Sequence, residues 1–167
     1  MKKSKLVLGA LGAAAAANAV HAAVFKPKAG VVAALSKEEV NVDRYREHLS
    51  AAIRFKTISS RDASLVDWNE FDAFHKYLDE AYPLITKNLE KEIIPPANLI
   101  YRWKGKRSDL DPVALLAHQD VVPVSEGTED DWTHPAFDGV DDGEFIWGRG
   151  ALDMKNHLIC VMEAVEA

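Results

Sequence analysis

Two short clusters of polar residues in the second half of the chain carry side chains that could bind a metal ion. In the first cluster, His118 and Asp120 follow the apolar run 113–117. Residues i and i+2 of a strand face the same side, about 6.6 Å apart at roughly 3.3 Å per residue, so Asp120 can lie beside the His118 ring. A metal-binding histidine usually gives its second ring N–H to a carboxylate or carbonyl oxygen, which fixes the tautomer. A buried histidine with satisfied hydrogen bonds explains the same pattern at least as often.

The second cluster, residues 148–155, reads Gly-Arg-Gly-Ala-Leu-Asp-Met-Lys and lies where a strand is expected to give way to the last helix. Its glycines permit a tight backbone turn. Ligands of open α/β sheets gather outside the carboxyl ends of the strands, so Asp153 is well placed to meet His118 and Asp120. The alternative for Asp153 is a helix N-cap.

The apolar spacing of the chain predicts the elements that must position these clusters. Residues at helical spacing predict one helix from Asn41 to about Phe55 and a second that begins at Asp67 and ends before Pro83. Helices before and after several strands indicate an α/β layered domain. Short β-favouring runs predict strands at residues 93–94, 99–103, 113–117 and 145–147. A crowded apolar segment at 158–165 predicts the last helix.

The remaining histidines and the single cysteine are assigned structural places. His48 and His75 lie on the two predicted helices and are expected at the surface, whereas His134 is expected in a loop. Cys160 lies in an apolar run, which suggests a buried thiol that packs as a small core residue.

The amino terminus has the layout of a secretory signal peptide. Three lysines precede an uncharged run over 6–20, and small residues suit cleavage near Ala22. The run is shorter than the roughly 20 apolar residues that span a bilayer, so stable membrane insertion is not expected. We therefore expect residues 1–22 to be removed on export, residues 23–40 to form a linker and the folded part to begin at residue 41.

The charge balance excludes some partners. Removal of residues 1–22 leaves 17 basic against 26 acidic residues, a net charge of about −9. An acidic surface disfavours nucleic acids and anionic membranes. We expect no nucleic-acid partner.

Together the two clusters resemble the M20 metallopeptidases, in particular the carboxypeptidase S and Gly-Xaa carboxypeptidase branch. The resemblance covers most of the chain after residue 41 and includes 49–59, 98–105, 118–123 and 148–155. It implies an α/β fold, a three-layer α/β/α zinc-peptidase-like catalytic domain. Residues 41–167 would be its amino-terminal part, truncated and without the lid-like dimerisation domain.

The resemblance also implies the roles of the site residues. His118 would bind one zinc ion, Asp153 would bridge two, and Asp120 would act in catalysis by orienting His118 and tuning the water on the metal. Two zinc ions about 3.5 to 4 Å apart can polarise a scissile carbonyl and lower the pKa of water. The family's general-base glutamate and its other metal ligands lie downstream of the Asp153 motif, so this chain alone is expected to be inactive.

The implied reaction is hydrolysis of an amide bond in a small peptide or an N-acyl-amino acid. The sequence leaves open whether the enzyme is a carboxypeptidase, a dipeptidase or an N-acyl-amino-acid hydrolase. A second hypothesis is a non-catalytic exported α/β binding module on the same scaffold, because a fold does not fix a function.

Overall fold

The structure, a computed structural model, describes residues 15–24 and 41–167. The chain divides after Glu39 into two parts. In the first part, residues 15–24 form an exposed helix, α1. The rest of the expected signal peptide and almost all of the expected linker lie outside the described residues. Among the residues described, no helix is long and apolar enough to cross a membrane.

Four helices form the framework of residues 41–167. The two predicted from apolar spacing are present, and Asn41 and Asp67 cap them by accepting hydrogen bonds from the N–H groups of Arg44 and Asn69. A short helix begins at Pro83, where the missing N–H of proline is not needed. The four are α2 (Val42–Ile53), α3 (Trp68–Ala81), α4 (Pro83–Asn88) and α5 (Asn156–Glu166).

The strands form two separate hairpins. β1 (Glu90–Ile94) pairs antiparallel with β2 (Asn98–Arg102), and β3 (Val140–Asp141) pairs antiparallel with β4 (Ile146–Trp147). The described part of the chain is therefore a mixture of α and β structure, as expected. The three-layer α/β/α arrangement stays a prediction.

The strand expected at 113–117 is not formed, so that prediction is wrong. These residues are irregular and open to solvent, with Val113 87% and Leu116 79% exposed. A continuous apolar run becomes a strand when neighbours pair with its backbone and cover both faces. No strand among the residues described pairs with it, and the nearest parallel pairing is an isolated bridge between Ile58 and Val121.

The core lies among the helices of the second part. Ile53 of α2, Phe74 of α3, Tyr82 before α4 and Ile159 of α5 are fully buried in one cluster. Burial of each such side chain stabilises the fold by about 1.5–3 kcal/mol. Cys160 is exposed, contrary to the prediction, because the buried stripe of α5 runs through Ile159, Met162, Glu163 and Glu166 and leaves Cys160 outside it.

Candidate metal centre

The ring of His118 lies between two aspartates. Its Nε2 is 3.0 Å from Asp153 Oδ1, and its Nδ1 is 3.0 Å from the backbone carbonyl oxygen of Asp120 and 3.3 Å from Asp120 Oδ1. The structure thus brings together the three residues singled out from the sequence. The side chains of His118 and Asp120 are partly exposed and that of Asp153 is 87% exposed, so the group faces solvent.

Both nitrogens of the His118 ring face oxygens that can only accept hydrogen bonds. Both contacts are satisfied at once when both nitrogens carry a proton. Partial burial lowers the pKa of His118, but the hydrogen bonds to the Asp120 carbonyl and to Asp153 outweigh it, and the net effect raises the pKa. The oxygens around the ring therefore favour positive charge at this point, whether it is a proton or a metal cation.

Thr57 holds the segment that carries His118 and Asp120. Thr57 is fully buried; its Oγ1 donates to the Gln119 carbonyl over 2.6 Å, and its own carbonyl accepts from the Val121 N–H over 2.9 Å. The Ser59 N–H donates in turn to the Val121 carbonyl over 3.1 Å. The segment is thus fixed on the side of residues 57–59.

Asp153 projects from an irregular turn, Ala151–Lys155, between β4 and α5. The turn follows Gly150, whose φ of +85° lies in the left-handed region, and a Cβ there would collide with the Val121 side chain. Glycine at this position therefore lets the Asp153 turn lie against the segment that carries His118.

A buried lysine secures the far end of this turn. The Nζ of Lys155 donates to the carbonyls of Ala52 and Phe55, over 2.8 and 2.7 Å, and lies 5.0 Å from the Phe74 ring centre. Carbonyls at the carboxyl end of a helix carry partial negative charge, which attracts an ammonium group. Burial lowers the pKa of Lys155 to about 7, and Glu70 acts in the opposite direction. Sequence reasoning gave Lys155 no role, although its place beside Asp153 in the motif was a sign of one.

The N-cap alternative for Asp153 is wrong. The residue before the first turn of α5 is Lys155, and its side chain makes no capping hydrogen bond. The Asp153 carboxylate is instead directed to His118. Its high exposure leaves its oxygens open to a further ligand.

The donor set fits part of a zinc site. Imidazole nitrogen and carboxylate oxygen are both common zinc ligands, and zinc sites use three or four protein ligands. His118 and Asp153 supply one of each. Within the described ranges no group of three or more His, Cys, Asp or Glu residues is arranged to hold a metal ion.

Two histidines expected at the surface are covered instead, His75 fully and His48 in large part. His75 is 4% exposed, with its Nε2 2.8 Å from Gln119 Oε1. The His48 ring is largely covered, with its Nδ1 2.6 Å from Glu163 Oε1. One nitrogen of each ring has a polar partner from a distant part of the chain, and helical spacing does not reveal such a partner. His134 lies in a loop, as expected, with its ring edge-on to Trp147.

Sequence comparisons bear on the same segment. Residues 114–167 match the model of Peptidase family M20/M25/M40. Carboxypeptidase S of Saccharomyces cerevisiae is 40% identical over 127 residues, which are 72% of this chain and 22% of the yeast protein. Probable carboxypeptidase S-like 2 of Dictyostelium discoideum is 40% identical over 122 residues, 72% of this chain and 23% of that protein. An N-fatty-acyl-amino acid synthase/hydrolase of Bos taurus is 32% identical over 123 residues, which are 72% of this chain and 24% of the bovine protein.

This mixed α/β chain, with a histidine and a carboxylate paired at a solvent-facing point, is therefore similar to the M20 peptidase family. Within the family its similarity is to the carboxypeptidase S branch. The chain spans 22–24% of the length of these relatives.

Proposed function

We propose that this chain is part of a zinc-dependent hydrolase that cleaves amide bonds in small peptides or N-acyl-amino acids. The contact between His118 Nε2 and Asp153 Oδ1 supports this most, because it brings the His118 and Asp153 motifs together at a solvent-exposed position. The names of the relatives, carboxypeptidases and an N-fatty-acyl-amino acid synthase/hydrolase, support the substrate class.

In this proposal His118 and Asp153 would hold zinc, His118 through its imidazole and Asp153 through its carboxylate. Asp120 accepts the Nδ1–H of His118 and so keeps the Nε2 edge turned to the metal. Zinc bound here would polarise the substrate carbonyl and lower the pKa of a water molecule to about 7. The further ligands, and the base that accepts a proton, would have to come from residues outside these 167. The 167-residue chain alone is then expected to bind zinc weakly and to hydrolyse nothing at a useful rate.

The test is a pair of aspartate variants in the longest reading frame that contains this sequence. The unmodified protein is expected to bind zinc, measured by calorimetry, and to hydrolyse small peptides or N-acyl-amino acids. Asp153→Ala should abolish both properties because it removes the carboxylate that would hold zinc. Asp72→Ala, which removes an exposed carboxylate on α3, is the matched control and should change neither. Undiminished zinc binding and turnover in Asp153→Ala would show that the assignment is wrong.

We also propose that the amino-terminal segment directs export and is removed near Ala22, because lysines, an apolar run and small residues follow one another in the required order. Mass spectrometry of exported protein is expected to find a new amino terminus close to residue 23. Exported protein that keeps Met1 would contradict this.

A further inference from the structure

His75 of α3 lies buried behind the segment that carries His118 and Asp120, and it is bonded to that segment. Its Nε2 is 2.8 Å from Oε1 of Gln119, the residue between His118 and Asp120. The amide nitrogen of Gln119 donates in turn to the backbone carbonyl of Ala97, which closes the β1–β2 hairpin. One side chain thus links the candidate metal centre to α3 and to this hairpin.

The contact with Ala97 fixes the direction of both hydrogen bonds. A backbone carbonyl can only accept, so it faces the amide NH₂ of Gln119 and leaves Oε1 as the acceptor toward His75. The Nε2 of His75 therefore carries a proton and donates it. The other ring nitrogen, Nδ1, is buried and has no hydrogen-bond partner among the described residues. Among the described residues, Gln119 is therefore the only hydrogen-bond partner of the His75 ring.

We propose that His75 is a positioning residue for the metal centre and acts through Gln119. Neighbouring side chains of an extended segment point to opposite sides, so holding Gln119 inward turns His118 and Asp120 outward. No strand within the described ranges pairs with the preceding residues 113–117, and the segment depends on attachments such as those to Thr57 and His75 instead. Without the His75 N–H, the side chain of Gln119 keeps only its contact with Ala97, and the two residues beside it are held less firmly in direction.

The variants separate this role from a general effect on stability. His75→Leu removes the donor and keeps a buried apolar side chain, whereas His75→Gln places an amide N–H near the position of Nε2. Gln119→Leu removes the other partner. His48→Leu is the matched control, because His48 is also a largely covered helix histidine, but its ring contacts Glu163 and Tyr82 and not the metal centre.

Two readouts are made in the full reading frame, and only the second rests on the proposed function. The first is hydrogen exchange at Val121, whose N–H donates to Thr57; His75→Leu should speed it, whereas His48→Leu should speed exchange in α2 and α5 instead. The second is zinc affinity, with zinc alone as the probe. His75→Leu and Gln119→Leu should each weaken it by about 10- to 100-fold, as is usual for residues that support metal ligands.

The His75→Gln variant should recover most of the zinc affinity that His75→Leu loses. The double variant His75→Leu/Gln119→Leu should bind zinc no more weakly than either single variant, because both changes break the same contact. The inference is overturned if His75→Leu leaves exchange at Val121 and zinc affinity unchanged, or if His48→Leu weakens zinc binding equally. Failure of the unmodified protein to bind zinc would contradict the proposed function, and exchange at Val121 would still decide the role of His75.

Discussion

At the scale of single residues, the two aspartates beside His118 differ in how they reach it. Asp153 presents its carboxylate to Nε2, whereas the closest atom of Asp120 to Nδ1 is its backbone carbonyl oxygen. Replacing the Asp120 side chain therefore removes the 3.3 Å carboxylate contact and keeps the 3.0 Å carbonyl contact. The two aspartates should consequently respond differently to mutation.

Asp120→Ala should weaken zinc binding by about 10- to 100-fold and lower turnover without abolishing either, because the carbonyl still orients the ring. Asp153→Ala, which removes a ligand, should be far more severe. Competition calorimetry on both variants measures the difference. Equal loss of zinc binding in the two variants would show that the Asp120 side chain binds the metal directly.

At the scale of elements, the β3–β4 hairpin leads into the turn that carries Asp153, and Asp142 closes it. Its Oδ1 accepts the N–H groups of Phe145 and Glu144 over 2.7 and 2.9 Å, and its Oδ2 accepts the indole N–H of Trp147 over 2.7 Å. The hydrogen bonds from Phe145, Trp147 and Glu144 lower the pKa of Asp142 to about 2. The hairpin thus depends on an ionised carboxylate.

Asp142→Ala should destabilise the protein at neutral pH because three donors lose their acceptor. The pKa of Asp142 in the folded protein lies below its ordinary value of 3.8, so its contribution is fully present above that value and is lost as the pH falls toward 2. Urea unfolding of both proteins between pH 2 and 6 should show stabilities that converge at low pH. A difference that stays constant with pH would rule out this role for the carboxylate.

Local patterns predicted some elements and missed others for a physical reason. Asn41 and Asp67 mark the starts of α2 and α3 through contacts with residues two or three positions further on, and both caps are formed in the structure. The run 113–117 has the composition of a strand, but a strand also needs neighbours, which the run does not encode. The burial of His75 likewise depends on Gln119, 44 residues away.

The candidate site was more predictable than the sheet. His118, Asp120 and Asp153 lie in two short motifs whose spacing and position already indicated that they converge, and the structure places them in contact. What holds them there was not foreseen, because Thr57, His75 and Lys155 act through backbone carbonyls and an amide side chain. Thr57 and His75 carry no recognisable sequence pattern, and only Lys155 lies within one of the two motifs.

At the scale of the whole molecule, two acidic residues of α5 tie the helices together. Glu163 accepts hydrogen bonds from Arg44 and Tyr82 and contacts His48, at 2.6, 3.0 and 2.6 Å. Glu166 accepts the N–H groups of Leu84 and Ile85 at the start of α4, where no side-chain cap is made by the residue before the helix. Carboxylates at a helix amino terminus are favourable because of the helix dipole. Helix α5 is therefore held to α2 and α4 by hydrogen bonds of two buried carboxylates as well as by apolar packing.

Glu163→Gln should lower the free energy of unfolding by about 1–3 kcal/mol at pH 7, because it removes a largely buried negative charge that pairs with Arg44 and replaces one acceptor oxygen by a donor. Burial raises the pKa of Glu163, but the hydrogen bonds from Arg44, His48 and Tyr82 outweigh it and lower the pKa below its ordinary value of 4.5. The stabilisation is thus present above pH 4.5 and is lost as the pH falls below it.

Urea unfolding at pH 7 and at successively lower pH values tests this prediction. Glu47→Gln, an exposed change on α2, is the control and should leave stability nearly unchanged. If Glu163→Gln and the unmodified protein differ by the same amount at pH 7 and pH 3, the ionised form of Glu163 is not the source of the stability.

The most direct test of the proposed metal centre is anomalous diffraction at the zinc absorption edge from crystals of the full reading frame grown with zinc. We expect an anomalous peak at about 2.0–2.1 Å from His118 Nε2 and about 2.0–2.2 Å from an oxygen of Asp153. A zinc peak bound to other residues, with the direct His118–Asp153 hydrogen bond still in place, would contradict it.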